Sequence, residues 1–334
     1  MKRLGFGILA GAMLVALSGV AHAEANQVRF ARQLGLGYLQ FYVMQEKQFL
    51  EREAERLGLG KVTATYAGMG TPTAITDALL SGNVDVVGIG LPAFLTMWDK
   101  TRGTMDVRGI VAMNRQPAYL TTRNPNIKSI RDFTDKDRIA VPSVKVSTQA
   151  LFLQIAAEKE WGPGQHGKLD HLTVGLAHPD AIIAVLNPVG EITAHFATSP
   201  FHEAEMKAGL KTVTSGYQIM GGEVSNLVFV TTEKFRAANP KVYAAVVAAM
   251  DEAIAWTNAD KRRAARLYME MTKEKKLTED DVTAIISAPG FDFTKVPKKT
   301  FTFAEFLHRI GTLKSKPGSW KDLYFAEAHG LAGD

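Results

Sequence analysis

Cysteine is absent from this chain of 334 residues. Its absence excludes a disulfide framework, a zinc ribbon, a thiol nucleophile and a thiolate-ligated iron–sulfur cluster, because each of these needs cysteine side chains. A lipid-modified N-terminal cysteine is excluded for the same reason. Long apolar runs are missing as well, because after residue 23 no run reaches the roughly 18 uninterrupted apolar residues that indicate a transmembrane helix. The mature chain is therefore expected to be soluble.

Neither sign of charge dominates the sequence. Lysine and arginine number 39 against 34 aspartate and glutamate residues, and Lys261-Arg262-Arg263 is the longest basic run. Three adjacent cations are typical of a solvated helix face, so nucleic-acid binding is not expected. The 46% hydrophobic and 22% charged residues are typical of a globular protein, and the length predicts two domains.

Residues 1–23 have the three parts of a secretory signal peptide. Lys2 and Arg3 form a basic start, residues 4–17 are apolar, and Ala21-His22-Ala23 is a small-x-small cleavage site. A membrane anchor is the alternative, but the apolar segment is shorter than the roughly 20 residues that cross a bilayer. The sequence therefore predicts export to the periplasm with cleavage. The net charge then falls from +5 to +3, because Lys2 and Arg3 are lost.

Strands and helices alternate along the mature chain. Residues 27–33, 61–66 and 84–89 are predicted strands, and residues 38–57 are predicted to form one long helix with apolar positions near helical spacing. The last of these strands is apolar on both faces, as in a buried parallel strand. The alternation predicts an α/β protein in which mostly parallel sheets are flanked by helices.

Residues 72–92 and 179–200 share one pattern of proline, helix, glycine, strand, short turn and proline. The offset is 107 residues at the first proline and 108 at the last, so one inserted residue separates the two copies. Chance similarity between strand–helix units is the alternative. The repeated position of the prolines favours two similar lobes.

Helix starts follow directly on strands at four places, Thr71-Pro72, Leu91-Pro92, Ser199-Pro200 and Ser147-Thr148. Proline suits the first turn of a helix, and a preceding serine or threonine can cap it. These helix N-termini lie at the carboxyl ends of strands, where open α/β sheets bind ligands. Their free N–H groups suit an anion or a polar head group. Each alone is more simply a helix cap, but four of them in two similar lobes indicate a cleft.

No complete catalytic or cofactor motif occurs in the sequence. Residues 162–168 match the first seven positions of a P-loop, but Leu169 stands where serine or threonine must bind magnesium. The histidines lack acidic partners at metal-site spacing, and Asp280-Asp281 follows Thr278 as the first turn of a helix would. No catalytic residue, metal or cofactor is therefore expected.

Three segments resemble ABC-transporter substrate-binding proteins, namely residues 68–94, 187–201 and 228–240. The resemblance covers the mature chain from residue 26 to about residue 331. It is greatest to the group that handles nitrate, sulfonate, taurine and thiamine-pyrimidine ligands. The resemblance implies a two-lobed periplasmic-binding-protein fold of type II, in which the ligand lies between the lobes.

The resemblance also implies where the lobes divide. Lobe one would be discontinuous, with residues 24–115 and 223–334, and lobe two would be central, with residues 116–222. The chain would cross between the lobes twice, and C-terminal helices would return to cover lobe one. The implied crossings and C-terminal helices are residues 114–122 and 215–225, and residues 240–256 and 260–271.

The ligand-facing loops of that family correspond to loops at the strand ends of this chain. Hydroxyls at a helix start would hold an acidic head group, His195 would donate to it or add charge, and Tyr38 would form an aromatic wall. Asn114 and Glu223 would hydrogen-bond across the closing cleft. The ligand-binding residues implied by the resemblance are Gln33, Tyr38, Gly70, Thr71, Gly90, Leu91, Asn114, Ser147, Thr148, His195, Thr198 and Glu223.

The sequence leaves the ligand class open. Ser147, Thr148 and the nearby Lys145 suit a sulfonate or carboxylate, whereas Glu223 in the cleft would suit an amine or ring N–H and repel a bare anion. A zwitterion or a heteroaromatic ring with polar substituents would satisfy both. The alternatives are that Glu223 is a solvated loop carboxylate, Lys145 a surface lysine and Tyr38 a packing residue.

By resemblance, the chain is expected to be a periplasmic protein that delivers a small polar or anionic organic molecule to the permease and ATPase subunits of an ABC importer at the inner membrane. It is expected to be a monomer and to have no nucleic-acid partner. A ligand-presenting sensory binding protein is one alternative. A pyrimidine-precursor enzyme on the same fold is another, but such enzymes depend on a cysteine-rich motif that this chain lacks.

Overall fold

The computed structural model describes residues 23–334. The predicted signal peptide covers residues 1–23, and all of it except Ala23 lies outside the described residues. Among residues 23–334, none of the helices has both the length and the apolar character that a membrane crossing requires.

The chain alternates strands and helices from one end to the other. The strands are β1 Gln27–Arg32, β2 Thr63–Gly68, β3 Val86–Gly90, β4 Val107–Arg115, β5 Ala118–Thr122, β6 Ile139–Val141, β7 Thr173–Gly175, β8 Ala194–Thr198, β9 Lys211–Ser215, β10 Ser225–Thr232 and β11 Asp292–Phe293. The helices are α1 Leu39–Lys47, α2 Phe49–Arg56, α3 Pro72–Leu80, α4 Leu91–Thr101, α5 Thr148–Trp161, α6 His178–Leu186, α7 Phe201–Lys207, α8 Gly216–Met220, α9 Glu233–Ala238, α10 Pro240–Ala259, α11 Lys261–Thr272, α12 Glu279–Ser287 and α13 Thr300–Arg309.

Two sheets organise these elements within residues 23–334. The first has the strand order β11-β4-β10-β3-β1-β2, and the second has the order β7-β6-β8-β5-β9. The chain leaves the first sheet after β4, builds the second sheet from β5 to β9, and returns with β10. We call the part built on the first sheet lobe one and the part built on the second sheet lobe two. The expected two-lobed α/β fold with two crossovers is confirmed, while the residue-level lobe boundaries stay a prediction.

The sheets are mixed, and the expectation of mostly parallel sheets needs correction. In lobe one, β10 runs antiparallel to both of its neighbours, β3 and β4, while β1 is parallel to β2 and β3. In lobe two, β5 is antiparallel to β8 and β9, while β6 is parallel to β7 and β8. Part of the reason lies in the crossovers, because β5 and β10 enter their sheets from the other lobe in the reversed direction. In lobe one, β11 is also antiparallel to β4.

The predicted helix over residues 38–57 is interrupted in the structure. Gln48 adopts a left-handed conformation, with φ 51°, and separates α1 from α2. This break ends the hydrogen-bond ladder and redirects the chain, so that Phe49 and Leu50 are buried against the sheet of lobe one. A pattern of apolar spacing predicts both helices but not a single left-handed residue between them.

The internal repeat corresponds to one structural unit in each lobe. Helix α3, strand β3 and helix α4 form the first copy, and α6, β8 and α7 form the second. Two predicted caps are present, because Thr71 Oγ1 accepts a hydrogen bond from Ala74 N at 3.2 Å and Ser147 Oγ accepts one from Ala150 N at 3.2 Å. Helices also begin at Leu91 and Phe201, but neither has a side-chain cap, and Ser199 does not cap α7 as the sequence suggests.

The C-terminal helices complete the core of lobe one, and one of them also contacts lobe two. Helices α10 and α11 pack in the core of lobe one. Helix α13 continues onto lobe two, where the Phe303 ring lies 5.8 Å from the ring of Phe152 in α5. Arg309 Nη1 in α13 also lies 2.6 Å from Glu158 Oε1 in α5.

Phe152→Ala is expected to lower the free energy of unfolding by about 3–5 kcal/mol, because the substitution leaves a cavity among fully buried rings. Phe152 is 1% exposed and lies near Phe196 of its own lobe and Phe303 of α13. Urea unfolding measures this loss. Ile183→Ala on the exposed face of α6 is the control, with a change below about 0.5 kcal/mol. A loss below about 1 kcal/mol at Phe152 would contradict this packing role.

Candidate functional site

A polar pocket lies between the lobes at the strand ends. Lobe one, the crossover and lobe two all contribute to its wall, and it borders a wider mouth of about 220 Å³. The inner pocket encloses about 20 Å³, the space of one water, so an organic molecule fits there only when the lobes move apart. The inner pocket is lined by Gln33, Leu34, Tyr38, Pro72, Gly90, Gln116, Thr148, Gln149, His178, Thr198, Asn226 and Leu227. The mouth is lined by Gln33, Leu34, Gly70, Ala177, His178, Pro179 and Asp180.

Larger concavities lie elsewhere on the protein. One of about 410 Å³ lies on lobe one beside Trp98 and Arg108, and another of about 480 Å³ lies between α5 and α13. Neither receives side chains from strand ends of both lobes. Ligand sites in open α/β sheets form at the carboxyl ends of strands, so the smaller interlobe pocket is the stronger candidate.

Gln33 and Tyr38 form an ordered polar wall on lobe one. The Tyr38 hydroxyl donates to Gln33 Oε1 at 3.0 Å, and Gln33 Nε2 donates to the carbonyl of Gly70 at 3.0 Å. Burial raises the pKa of Tyr38 far above its ordinary value, so the phenol stays protonated and keeps its donor role. The side chain of Gln33 is thereby fixed at the pocket wall.

Close approach of the lobes depends on Gly90. This residue ends β3, and a Cβ atom placed on it would lie 2.6 Å from Thr148 Oγ1 at the start of α5. A backbone hydrogen bond from Leu36 N to Ser199 O, 3.1 Å long, also crosses the cleft. The N-terminus of α5 is therefore in close contact with the end of β3, and both line the pocket beside this contact.

A chain of buried polar side chains runs from the pocket into lobe two. His178 Nδ1 lies 2.8 Å from His195 Nε2, and His195 Nδ1 lies 2.5 Å from Glu205 Oε1. The Thr121 hydroxyl donates to the second oxygen of Glu205 at 2.5 Å. On the pocket side, His178 Nε2 lies 3.2 Å from Thr198 Oγ1. We call His178, His195 and Glu205 the relay.

The relay is shielded from water. His178 is 6% exposed, and His195 and Glu205 are 0% exposed. Burial and, second, the neighbouring His195 lower the pKa of His178 well below its ordinary value. His178 is therefore a neutral imidazole at neutral pH. A neutral imidazole has one donor nitrogen and one acceptor nitrogen, so the hydrogen bond on one side of the His178 ring is donated and the one on the other side is accepted.

Six of the residues implied by the resemblance reach the pocket or its mouth. Gln33, Tyr38, Gly90, Thr148 and Thr198 line the inner pocket. Gly70 lines the mouth, where a Cβ atom on it would lie 3.4 Å from the Cβ of Ala177 in lobe two.

Three of the remaining six residues lie directly behind the pocket wall. Ser147 caps α5 and donates to Ser143 O at 2.8 Å, so its hydroxyl is used within its own loop. Thr71 likewise caps α3. His195 lies behind His178 and is separated from the pocket by it.

The other three residues are engaged away from the pocket, and the expected cleft position is corrected for each of them. Leu91 is fully buried in the apolar core. Asn114 Nδ2 donates to Gly37 O at 2.6 Å within lobe one. Glu223 pairs with Arg115 at 3.0 Å beside the crossover, where the arginine neutralises its charge. Lys145, which was considered for the anion, is exposed on the loop before α5.

Sequence reasoning missed His178, Gln116, Gln149 and Asn226 on the wall. For His178 a signal was present, because the repeat offset of 107 residues maps Thr71 onto this position at the start of the second helix. The others carry no motif, and only the packing of the lobes brings them together.

The fold is shared with periplasmic binding proteins. The chain is similar to the alkanesulfonate-binding protein SsuA from Xanthomonas axonopodis pv. citri bound to MOPS, with 14% identity, a TM-score of 0.67, and coverage of 88% of this chain and 96% of that one. The periplasmic aliphatic sulphonate binding protein SsuA from Escherichia coli matches with 15% identity, a TM-score of 0.65, and coverage of 90% and 92%. The periplasmic nitrate-binding protein NrtA from Synechocystis PCC 6803 matches with 15% identity, a TM-score of 0.60, and coverage of 78% and 70%. These likenesses show the fold.

No protein-family model matches the chain. No curated protein sequence matches it with statistical significance.

Acidification below about pH 6.5, the ordinary pKa of histidine, is expected to destabilise the protein in part through His178. Because its pKa is lowered by folding, the unfolded chain binds a proton first as the pH falls, and linkage then favours unfolding. His178→Gln removes this contribution, so its free energy of unfolding falls less steeply than that of the wild type between about pH 6.5 and pH 5. Urea unfolding across this range gives the comparison.

His171→Gln is the matched control, because His171 lies on the surface of lobe two beside Asp135. Equal pH dependence below pH 6.5 in the wild type and in His178→Gln would contradict a neutral, buried His178.

Proposed function

We propose that the protein is the periplasmic solute-binding component of an ABC importer. It captures a small polar or anionic organic molecule between its lobes and delivers it to a membrane permease. The observation that carries the proposal is the pocket itself, which is lined by polar groups of both lobes where strand ends and helix starts meet. The fold likeness to sulfonate-binding and nitrate-binding proteins supports the same role.

The wall of the pocket suits a compact molecule with several hydrogen-bonding atoms. Thr148 and Thr198 offer hydroxyls, Gln149 and Asn226 offer amides, and Leu227 offers an apolar surface. The first turn of α5 adds unpaired backbone N–H groups and the positive end of its dipole. Sulfonates, carboxylates, zwitterions and heteroaromatic rings with polar substituents all present matching acceptors.

Capture works through hinge closure. The lobes are joined by two crossovers, and contacts such as Leu36 N to Ser199 O and Thr73 Oγ1 to Ser143 Oγ, 3.1 Å each, form where the lobes meet. A ligand that bridges the two walls stabilises this arrangement and loses its water, so its polar atoms must find matching donors. The permease then recognises the closed form.

The alternative role of a sensory binding protein uses the same capture step and differs in the receptor that recognises the closed protein.

An enzymatic role is worth testing because of one arrangement at the pocket. In hydrolases a nucleophile, a base and orienting groups follow one another, and here the order is the Thr198 hydroxyl, His178, and then His195 and Glu205. Our proposal gives these residues a binding role.

A thermal-shift screen of the mature chain tests capture. The protein is unfolded and refolded to remove any carried ligand, then screened against sulfonates, carboxylates, nitrate, amines and pyrimidines. A ligand at 100 times its dissociation constant adds about 2.7 kcal/mol to stability. The compound should be recovered chemically unchanged. Conversion to a product would contradict the proposal, and so would the absence of any stabilising compound.

Thr148→Ala and Ser147→Ala form a matched pair of adjacent variants. Thr148→Ala removes a pocket hydroxyl, so affinity for the compound found in the screen is expected to fall roughly three- to tenfold. Ser147→Ala removes the cap of α5, so stability falls by about 1 kcal/mol while affinity changes less than about twofold. Titration calorimetry and urea unfolding measure the two effects. Equal affinities of Thr148→Ala and the wild type would contradict the position given to the ligand.

A further inference from the structure

The inner pocket has an unusual charge composition. Within residues 23–334, its lining includes no lysine, arginine, aspartate or glutamate. Its titratable side chains are Tyr38, whose phenol stays protonated, and His178. Beyond the partial positive charge at the N-terminus of α5, a full positive charge on this wall must therefore come from a proton on the relay.

The relay has one arrangement of hydrogens when Glu205 is a carboxylate and both histidines are neutral. Glu205 Oε1 accepts from His195 Nδ1–H, so His195 Nε2 carries a lone pair and accepts from His178 Nδ1–H. His178 Nε2 is then left with a lone pair on the pocket side, within 3.4 Å of Gln149 Nε2 and 3.2 Å of Thr198 Oγ1. A proton added to the relay from solvent therefore goes to His178 Nε2, which faces the pocket.

The charge balance depends on that proton. Glu205 is fully buried and has no lysine or arginine among its ion-pair partners in residues 23–334, so only the histidines can compensate its charge. A ligand anion beside neutral histidines would place a second negative charge in the same interior. Two like charges in a medium of low dielectric repel strongly, and one proton on the relay removes most of this penalty.

We propose that the pocket takes an anionic ligand together with one proton, which the relay accepts on binding. His178 contacts the anion, while His195 and Glu205 are positioning residues that orient it and hold the counter-charge. The inference rests on the proposed function and adds to it the charge class of the ligand. The sequence predicts that His195 contacts the acidic group of the ligand, whereas in this proposal His178 makes that contact.

The surroundings of His178 supply few competing charges. From its own helix α6, Asp180 lies at the cleft mouth, and from α7, Phe201 stacks on the imidazole with ring centroids 5.1 Å apart. Strand β8 supplies His195, with Glu205 of α7 behind it. The neutral groups that complete the surroundings are Gln149 of α5, Thr121 of β5, and Gln33, Leu34 and Tyr38 of lobe one.

Uptake of one proton gives a measurable linkage. In the free protein, burial keeps the pKa of His178 low, whereas an adjacent anion raises it. Between these two pKa values, affinity for the anion is expected to fall about tenfold for each unit of rising pH.

Titration calorimetry tests the proposal directly. The mature protein is titrated with ethanesulfonate, benzoate and nitrate, and with the neutral compounds ethyl methyl sulfone, benzamide and nitromethane. The titrations are run at about pH 6 and 7 in Bis-Tris and in imidazole, and at about pH 8 in imidazole and in Tris, because these buffers are not anions and their different ionisation enthalpies report proton uptake. We expect at least one anion to bind with uptake of close to one proton, and its neutral counterpart to bind at least about tenfold more weakly.

The outcomes separate the inference from the proposed function. Anion binding that is independent of pH, binding with proton release, or binding of neutral compounds alone overturns the inference and leaves the proposed function standing. Failure of every compound, in this panel and in the wider screen, overturns both.

Variants assign the proton to the relay. His178→Gln is expected to abolish both the pH slope and the proton uptake, whereas His171→Gln on the surface leaves them unchanged. Glu205→Gln keeps the shape of the side chain and removes the counter-charge, so the pH profile moves to lower pH by about one unit or more. Nitrogen NMR of the imidazoles gives an independent readout, in which Nε2 of His178 gains a hydrogen on binding and one ring of the relay becomes an imidazolium. An unchanged ring would contradict the proposal.

Discussion

A two-residue connection between the sheets governs the arrangement of this protein. Strand β4 ends at Arg115 and β5 begins at Ala118, so Gln116 and Pro117 alone bridge the lobes at this crossover. Such a short connection keeps the strand ends of both sheets facing each other. Arg115 pairs with Glu223 beside the second crossover at 3.0 Å and with Asp292 of β11 at 2.9 Å, so the two crossovers are tied together. The pocket forms where this geometry brings the strand ends into contact.

The same geometry explains why glycine and small side chains lie at the cleft. At Gly37, a Cβ atom would lie 2.2 Å from Nε2 of Gln116, and at Gly90 it would lie 2.6 Å from Thr148 Oγ1. The buried relay adds a different requirement, because Glu205 and two histidines must share hydrogens in a fixed order. Under the proposed function, close contact between the lobes limits the size of the ligand and the relay limits its charge.

Local sequence patterns predicted the parts of this fold that depend on neighbouring residues. The strands, the caps at Thr71 and Ser147, and the repeated helix–strand–helix unit follow from short-range rules. The left-handed conformation of Gln48 could not be predicted in this way, because it depends on the backbone energy of a single residue and not on a repeated pattern. The relay was also missed, since its three members come from α6, β8 and α7 and meet only after tertiary packing. Glu223 was placed in the cleft because the sequence does not reveal that Arg115 lies beside it.

Hydrogen–deuterium exchange tests capture between the lobes most directly. With the compound found in the screen, we predict slower exchange in both walls at once, at the first turn of α5 in lobe two and around Asn226 of β10 in lobe one. The compound should contact both walls, because each contributes to one pocket. Protection confined to one lobe, or to the concavities away from the strand ends, would contradict the account.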